Sequence, residues 1–220
     1  MAWRPEPADD ADARTPRHPR AQDTEFQGKE ICFNYNENTL TIVDVSDKEN
    51  MVMLSRVTYD NVYYTHQGWL LDGQTHLVLD DELDEQRGPT ANTRTMVWDV
   101  RSLRNPTLAN SFFSPETAID HNQYVHNGVA YQANYCAGLR LLRPTGNGPN
   151  PIMEEIGHFR ASPDCDTAIF RGAWSVYPYF ASGSIVMQTI ERGLFVMNAD
   201  AALAKKTAGA VWSANATKTF

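Results

Sequence analysis

Leu40-Thr41-Ile42-Val43-Asp44-Val45 and Thr95-Met96-Val97-Trp98-Asp99-Val100 decide how this chain is read. They stand 55 residues apart (41 to 96), and each is followed by polar turn residues and another apolar run. Gly138-Leu139-Arg140-Leu141-Leu142 and Gly193-Leu194-Phe195-Val196-Met197 are also 55 apart (138 to 193). Three further segments recur at intervals of 55 (66 to 121) and 53 (121 to 174): His66-Gln67-Gly68-Trp69, Asp120-His121-Asn122 and Gly172-Ala173-Trp174-Ser175. Equivalent features in a fixed order at a nearly constant period mark a repeat architecture.

Each repeat holds four short runs rich in Val, Ile, Leu, Tyr and Phe, separated by Gly, Asn, Asp and Pro turns. That is the content of four antiparallel strands, and four strands per repeat is the content of a propeller blade. The fold expected is therefore all-β, an incomplete β-propeller of four-stranded antiparallel blades. Residues 1–28 have no apolar periodicity and read as a mobile arm. Blades follow over 29–200: a partial one at 29–60, then 61–115, 116–165 and 166–200. Residues 201–220 read as a tail or closing strand, with Ala210–Ser213 as the outermost strand and a weak helical stripe over 199–208. The first blade lacks an inner strand by this count, so an open arc or part of a larger ring is expected, with edges needing further blades or self-association.

Composition narrows the function. Of 220 residues, 42% are hydrophobic, enough for a sizeable core. Twenty-seven acidic against 19 basic residues give a formal charge of −8, a field that repels phosphate backbones and anionic lipid. Nucleic acid and membrane surfaces are poor partners on this ground, and no run approaches the roughly 18 apolar residues of a spanning helix. Met1–Gln22 has no apolar leader core. Cys32, Cys136 and Cys165 show no C-x-x-C spacing, which excludes a closed zinc site and leaves at most one internal disulfide. The sequon Asn215-Ala216-Thr217 is a faint sign of secretion.

As an ordered series, several motifs resemble the LVIVD-repeat propellers, and closely the choice-of-anchor B family proteins. They include Gly28-Lys29-Glu30-Ile31-Cys32, Leu40–Val45, Thr65–Trp69, Asp80–Glu85, Ile119–Asn122, Gln132–Tyr135, Gly138–Arg140, Gly172–Pro178 and Glu191–Val196. The resemblance implies an exported or surface-attached propeller with no established catalytic activity. The blades usual upstream in that family, and an export signal, are absent here, and an upstream partner for Cys32 would account for the odd cysteine count.

Blade geometry turns the motifs into a surface. Inner strands begin, and second strands end, on one face, so a single rim should gather His66, Trp69, Asp81, Glu82, Glu85, Asp120, His121, Asn122, Asn134, Trp174, Glu191 and Arg192. Asp80–Glu85 carries five carboxylates in six positions, whose repulsion calls for cations or arginines, or for solvent. A divalent cation held by His66, Asp81, His121 and Glu191 is one expectation. The other is a solvated acidic loop, with each histidine pinning its own strand. Asp120 and His121 are neighbours on a strand and should point apart rather than pair. Trp69 and Trp174 are expected to be largely buried. No Gly-x-Ser-x-Gly, P-loop or dinucleotide-binding pattern is present. The reading that follows is a non-catalytic, exported binding or adhesion module for a protein or glycan partner. A metal-dependent hydrolase or lyase on the same rim, and a pure scaffold, stand as alternatives.

Overall fold

The computed structural model describes residues 23–146, 150–203 and 217–219. Four antiparallel sheets follow one another along the chain. The first holds β1 (Ile31–Tyr35), β2 (Leu40–Asp44) and β3 (Val52–Val57). The second holds β4 (Thr65–Leu70), β5 (His76–Asp81), β6 (Asn92–Asp99) and β7 (Thr107–Thr117), with α1 (Asp84–Arg87) after β5. The third holds β8 (Asn122–His126), β9 (Val129–Asn134), β10 (Gly138–Thr145) and β11 (Ile152–Phe159). The fourth holds β12 (Ala173–Tyr177), β13 (Ser184–Thr189), β14 (Leu194–Asn198) and β15 (Thr217–Thr219), with α2 (Asp200–Leu203) after β14. In each sheet sequential strands are neighbours, the up-and-down order of a blade.

The 55-residue period is thus the period of the sheets. β2 and β6 are equivalent third strands, which gives β1 the second-strand position. Among the described residues no strand lies inside β1. Among the described residues the outermost strand of the fourth sheet is β15; Ala210–Ser213 and residues 1–22 of the expected arm lie outside them. Residues 204–208 of the weak helical stripe and Asn215-Ala216 of the sequon lie outside them too. At 24–26 a turn of 3₁₀ helix seats Phe26 in the first core cluster.

Three apolar clusters hold successive sheets face to face. Ile31, Phe33, Leu40 and Ile42 of the first sheet meet Leu77, Leu79, Met96 and Trp98 of the second. Val78 and Val97, on the opposite face of the second sheet, meet Val125, Ala130, Leu142 and Met153 of the third. Tyr131, Ala133, Leu139 and Leu141 then meet Val176, Ile185, Met187 and Phe195 of the fourth. Trp98 is buried packing within β6. Every residue of β5 and β9 is buried, because strands between two sheets have no solvent face and lose the alternation of one-sided strands. No buried cluster among the described residues joins the fourth sheet to the first. Val52 and Met53 at one end and Tyr177 and Leu194 at the other stand exposed.

A fourth small cluster is covalent. Cys136 and Cys165 form a disulfide, packed with Ala118 and Ala137. Cys32 lies on β1, its thiol 3.3 Å from Asn34 Oδ1.

Candidate functional site

The period reappears as hydrogen bonds across the inner strands. His66 lies on β4, His121 just before β8 and Trp174 on β12. His66 Nδ1 is 3.0 Å from the His121 carbonyl oxygen, and His121 Nδ1 is 2.6 Å from that of Trp174. Each ring therefore ties its blade to the next one, not to its own strand as the sequence suggested. A carbonyl only accepts, so the bond to it requires the hydrogen on each Nδ1, which in a neutral imidazole leaves Nε2 as a bare lone pair.

Both Nε2 atoms converge on one carboxylate. His66 Nε2 is 3.7 Å from Glu82 Oε2, and His121 Nε2 is 3.5 Å from Glu82 Oε1. Tyr135 donates its hydroxyl to Glu82 Oε1 at 2.7 Å. Lone pairs facing carboxylate oxygens repel unless a proton or a cation lies between them. Burial pushes the His121 pKa below its ordinary value, outweighing the Trp174 carbonyl and Glu82, so the proton is disfavoured there. The arrangement matches the one usual for metal-binding histidines, whose second nitrogen is fixed by a carbonyl.

Aromatic rings frame the cluster. His66 and His121 stack with centroids 4.6 Å apart, Tyr64 lies against His66, and Tyr135 and Trp174 lie against His121. Tyr135 is 1% exposed and has φ +35°, an uncommon conformation for a side-chain-bearing residue. Its turn after β9 is fixed by backbone bonds in both directions with Ala173 at 2.9 and 3.0 Å. In the sequence Tyr135 stood out only as the end of the Gln132–Tyr135 motif. Nothing in the motifs pointed to Tyr64.

The remaining rim candidates go elsewhere. Asp81 accepts from the Tyr63 and Tyr64 amides and the Tyr59 hydroxyl, so its oxygens are committed to a buried turn. Glu191 accepts from the Gly172 amide and the Ser162 hydroxyl, and Arg192 reaches Asp164. Of the four residues expected to hold a cation, the structure brings together His66 and His121, and Glu82 stands where Asp81 and Glu191 were expected. Asn122 donates to the Trp174 carbonyl at 2.9 Å. Asn134 donates to Gln132, in a buried chain that runs on through Gln123 to Asp80. Trp174 is 43% exposed, against the burial expected, and Trp69 is half-buried between Tyr124 and Tyr179.

The acidic run is buried rather than solvated. Asp80, Asp81, Asp84, Glu85 and Asp120 are all inside. Burial raises the Asp80 and Asp120 carboxyls well above the ordinary range, with neighbouring carboxylates adding to it. Glu85 is pushed up to about 10 by burial and by Asp84, and Asp84 to about 6 by burial, with Arg94 opposing. Asp120 and His121 do point apart: Asp120 Oδ2 accepts from the Arg94 amide, away from the imidazole.

A cavity of about 450 Å³ lies elsewhere, lined by Tyr59, Arg94, Trp98 and Leu108, and neither His66, Glu82 nor His121 reaches it. Among the described residues no helix is long and apolar enough to cross a membrane.

No family model matches the chain, and no curated protein matches it. Solved structures do. A Lactobacillus plantarum protein aligns at 12% identity and TM-score 0.57, over 77% of this chain and 50% of its own. The periplasmic gluconolactonase of Pseudomonas aeruginosa aligns at 13% and 0.55, over 80% and 51%. A proposed 6-phosphogluconolactonase of Bacteroides fragilis aligns at 12% and 0.56, over 79% and 51%. The chain thus spans about half the length of these structures. Two of the three are named as lactonases, which corrects the expectation of a non-catalytic binding or adhesion module. What the chain shares with these structures is an all-β, propeller-like fold of antiparallel sheets, three of them four-stranded among the described residues.

Proposed function

We propose that the chain is a hydrolase whose rim holds a divalent transition-metal ion between His66 Nε2, His121 Nε2 and the Glu82 carboxylate. One observation carries this: two imidazoles whose Nδ1 atoms are fixed on backbone carbonyls turn their Nε2 lone pairs onto one carboxylate. Two nitrogens and a carboxylate suit zinc, manganese or iron better than calcium. An ion bound there would supply a Lewis acid and lower the pKa of water. The chain's own residues do the rest. Tyr135 fixes the Glu82 oxygens, the Trp174 and His121 carbonyls hold both rings, and exposed Trp174 offers a face for substrate.

The substrate class that fits is a carboxylic ester in a ring, a lactone, which the names of two structural neighbours support. The LVIVD-repeat relationship rests on the motif series alone. A location outside the cytoplasm, extracellular or periplasmic, is supported by the Cys136–Cys165 disulfide.

The test is lactone hydrolysis by protein purified without chelator, with and without added zinc or manganese. Replacing His66 or His121 by Ala should lower the rate roughly 100-fold or more while bound metal falls with it. The hydrogen-bond ladder favours a second reading, in which the rings only tie blades together. If wild-type protein binds no transition metal and hydrolyses no lactone, while His121→Ala costs stability alone, that second reading stands and the hydrolase is ruled out.

A further inference from the structure

A different group of side chains has no role in the rim chemistry. Asp84, the first residue of α1, and Glu85 beside it meet Asp120, which leads into the inner strand of the third sheet. One oxygen from each lies within 4.8 Å of the others. All three residues are more than nine-tenths buried.

Their partners leave the cluster under-neutralised. Arg94 Nε is 2.8 Å from Asp84 Oδ2. Asp120 Oδ2 accepts from the Arg94 amide, and Glu85 Oε1 accepts from the Asp120 amide. Asp120 Oδ1 and Glu85 Oε2, both buried, have no hydrogen-bond partner. Ionised together, three carboxylates against one guanidinium would leave two negative charges in a dry interior, which is strongly unfavourable without a counter-ion, so without one the cluster must hold protons. One divalent ion balances the two charges.

We propose that Asp84, Glu85 and Asp120 form a second, buried cation site, taking a hard divalent ion of the calcium class. The donors are all oxygen, which selects calcium, magnesium or manganese over the softer ions suited to the histidine site. Its place gives it a structural task. It ties the segment after the second strand of one blade to the start of the next blade's inner strand.

The full chain, stripped with EDTA and dialysed, is titrated with calcium while melting temperature and bound metal are followed. One calcium per chain is expected, with a melting-temperature rise of roughly 5–10 °C at a hundredfold excess over Kd. Asp120→Asn and Glu85→Gln should each lose that rise, and if one fails to fold the other decides. A His66→Ala/His121→Ala variant should keep it while losing any transition metal, so failure here is distinguishable from failure of the hydrolase reading. Absence of bound calcium, or a rise that survives both carboxylate substitutions, overturns the proposal. So does a wild-type melting temperature that calcium leaves unmoved, because shared protons would then suffice to hold the cluster.

Discussion

At Gly172 the backbone takes φ +98°, and a Cβ there would sit 2.4 Å from the Tyr135 carbonyl oxygen. That closeness lets Tyr135 and Ala173 exchange backbone bonds and aims the Tyr135 hydroxyl at Glu82. Gly172→Ala should therefore cost about 2–4 kcal/mol, combining a left-handed conformation with a backbone clash. Gly183→Ala, at φ +74° with nothing within 4 Å of its Cβ, is the control and should cost only about 1 kcal/mol. Equal losses in chemical denaturation would refute the claim that Gly172 is held by the Tyr135 turn. At the same scale, Glu82 rather than Asp81 meets the imidazoles because Asp81 spends its oxygens on the Tyr63 and Tyr64 amides. Residue type alone did not separate two adjacent acids. Backbone amides did.

Among the elements, β7, β10 and β11 are joined by charge. Arg140 on β10 is 1% exposed and donates through Nε to the Ala137 carbonyl, with Nη1 on Glu155 of β11 and Nη2 on Glu116 of β7. Removing one partner of a buried ion pair strands the others, so Arg140→Ala should cost about 3–5 kcal/mol. Burial raises the Glu155 pKa, but bonds to His158 and Arg140 more than offset it and leave it lowered. A carboxyl with a depressed folded pKa stabilises above its unfolded value and loses that contribution as pH falls through the folded one. Wild type should thus lose stability in that acidic window, and Glu155→Gln should lose less across it. Parallel stability–pH curves for the two would refute this.

The disulfide acts between elements as well. Cys136 and Cys165 are separated by 29 residues, a closed loop worth roughly 3–4 kcal/mol by chain entropy. Reduction, or a Cys136→Ser/Cys165→Ser variant, should lower stability by about that amount. An unchanged denaturation midpoint would show that the bond is not formed in solution.

Over the whole molecule, the fold was legible because its signal is repetition. A 55-residue spacing between Leu40–Val45 and Thr95–Val100 survives whatever each strand packs against. In the third blade Gly128 and Gly138, both at positive φ, mark the turns on either side of β9. Less was legible where both faces of a strand are covered: β5 and β9 are buried throughout, so no alternation marks which side chains meet which neighbour. The outermost described strand of the last sheet, Thr217–Thr219, carries no apolar signal, because an edge strand needs backbone pairing more than side-chain burial.

The sequence by itself determined the period, the blade content, the rim on which His66, Glu82 and His121 stand, and the divergence of Asp120 from His121. These follow from chain-local rules, strand alternation and turn chemistry, that need no knowledge of neighbours. Only the tertiary structure decided that Glu82 faces both imidazoles, that Asp84 and Glu85 meet Asp120 in the interior, and that Trp174 stays exposed. Each depends in part on how one blade is laid against the next, across separations along the chain such as 35 residues (85 to 120) and 39 (82 to 121). Packing across that distance is set by the summed shape of two sheets, which no single segment records.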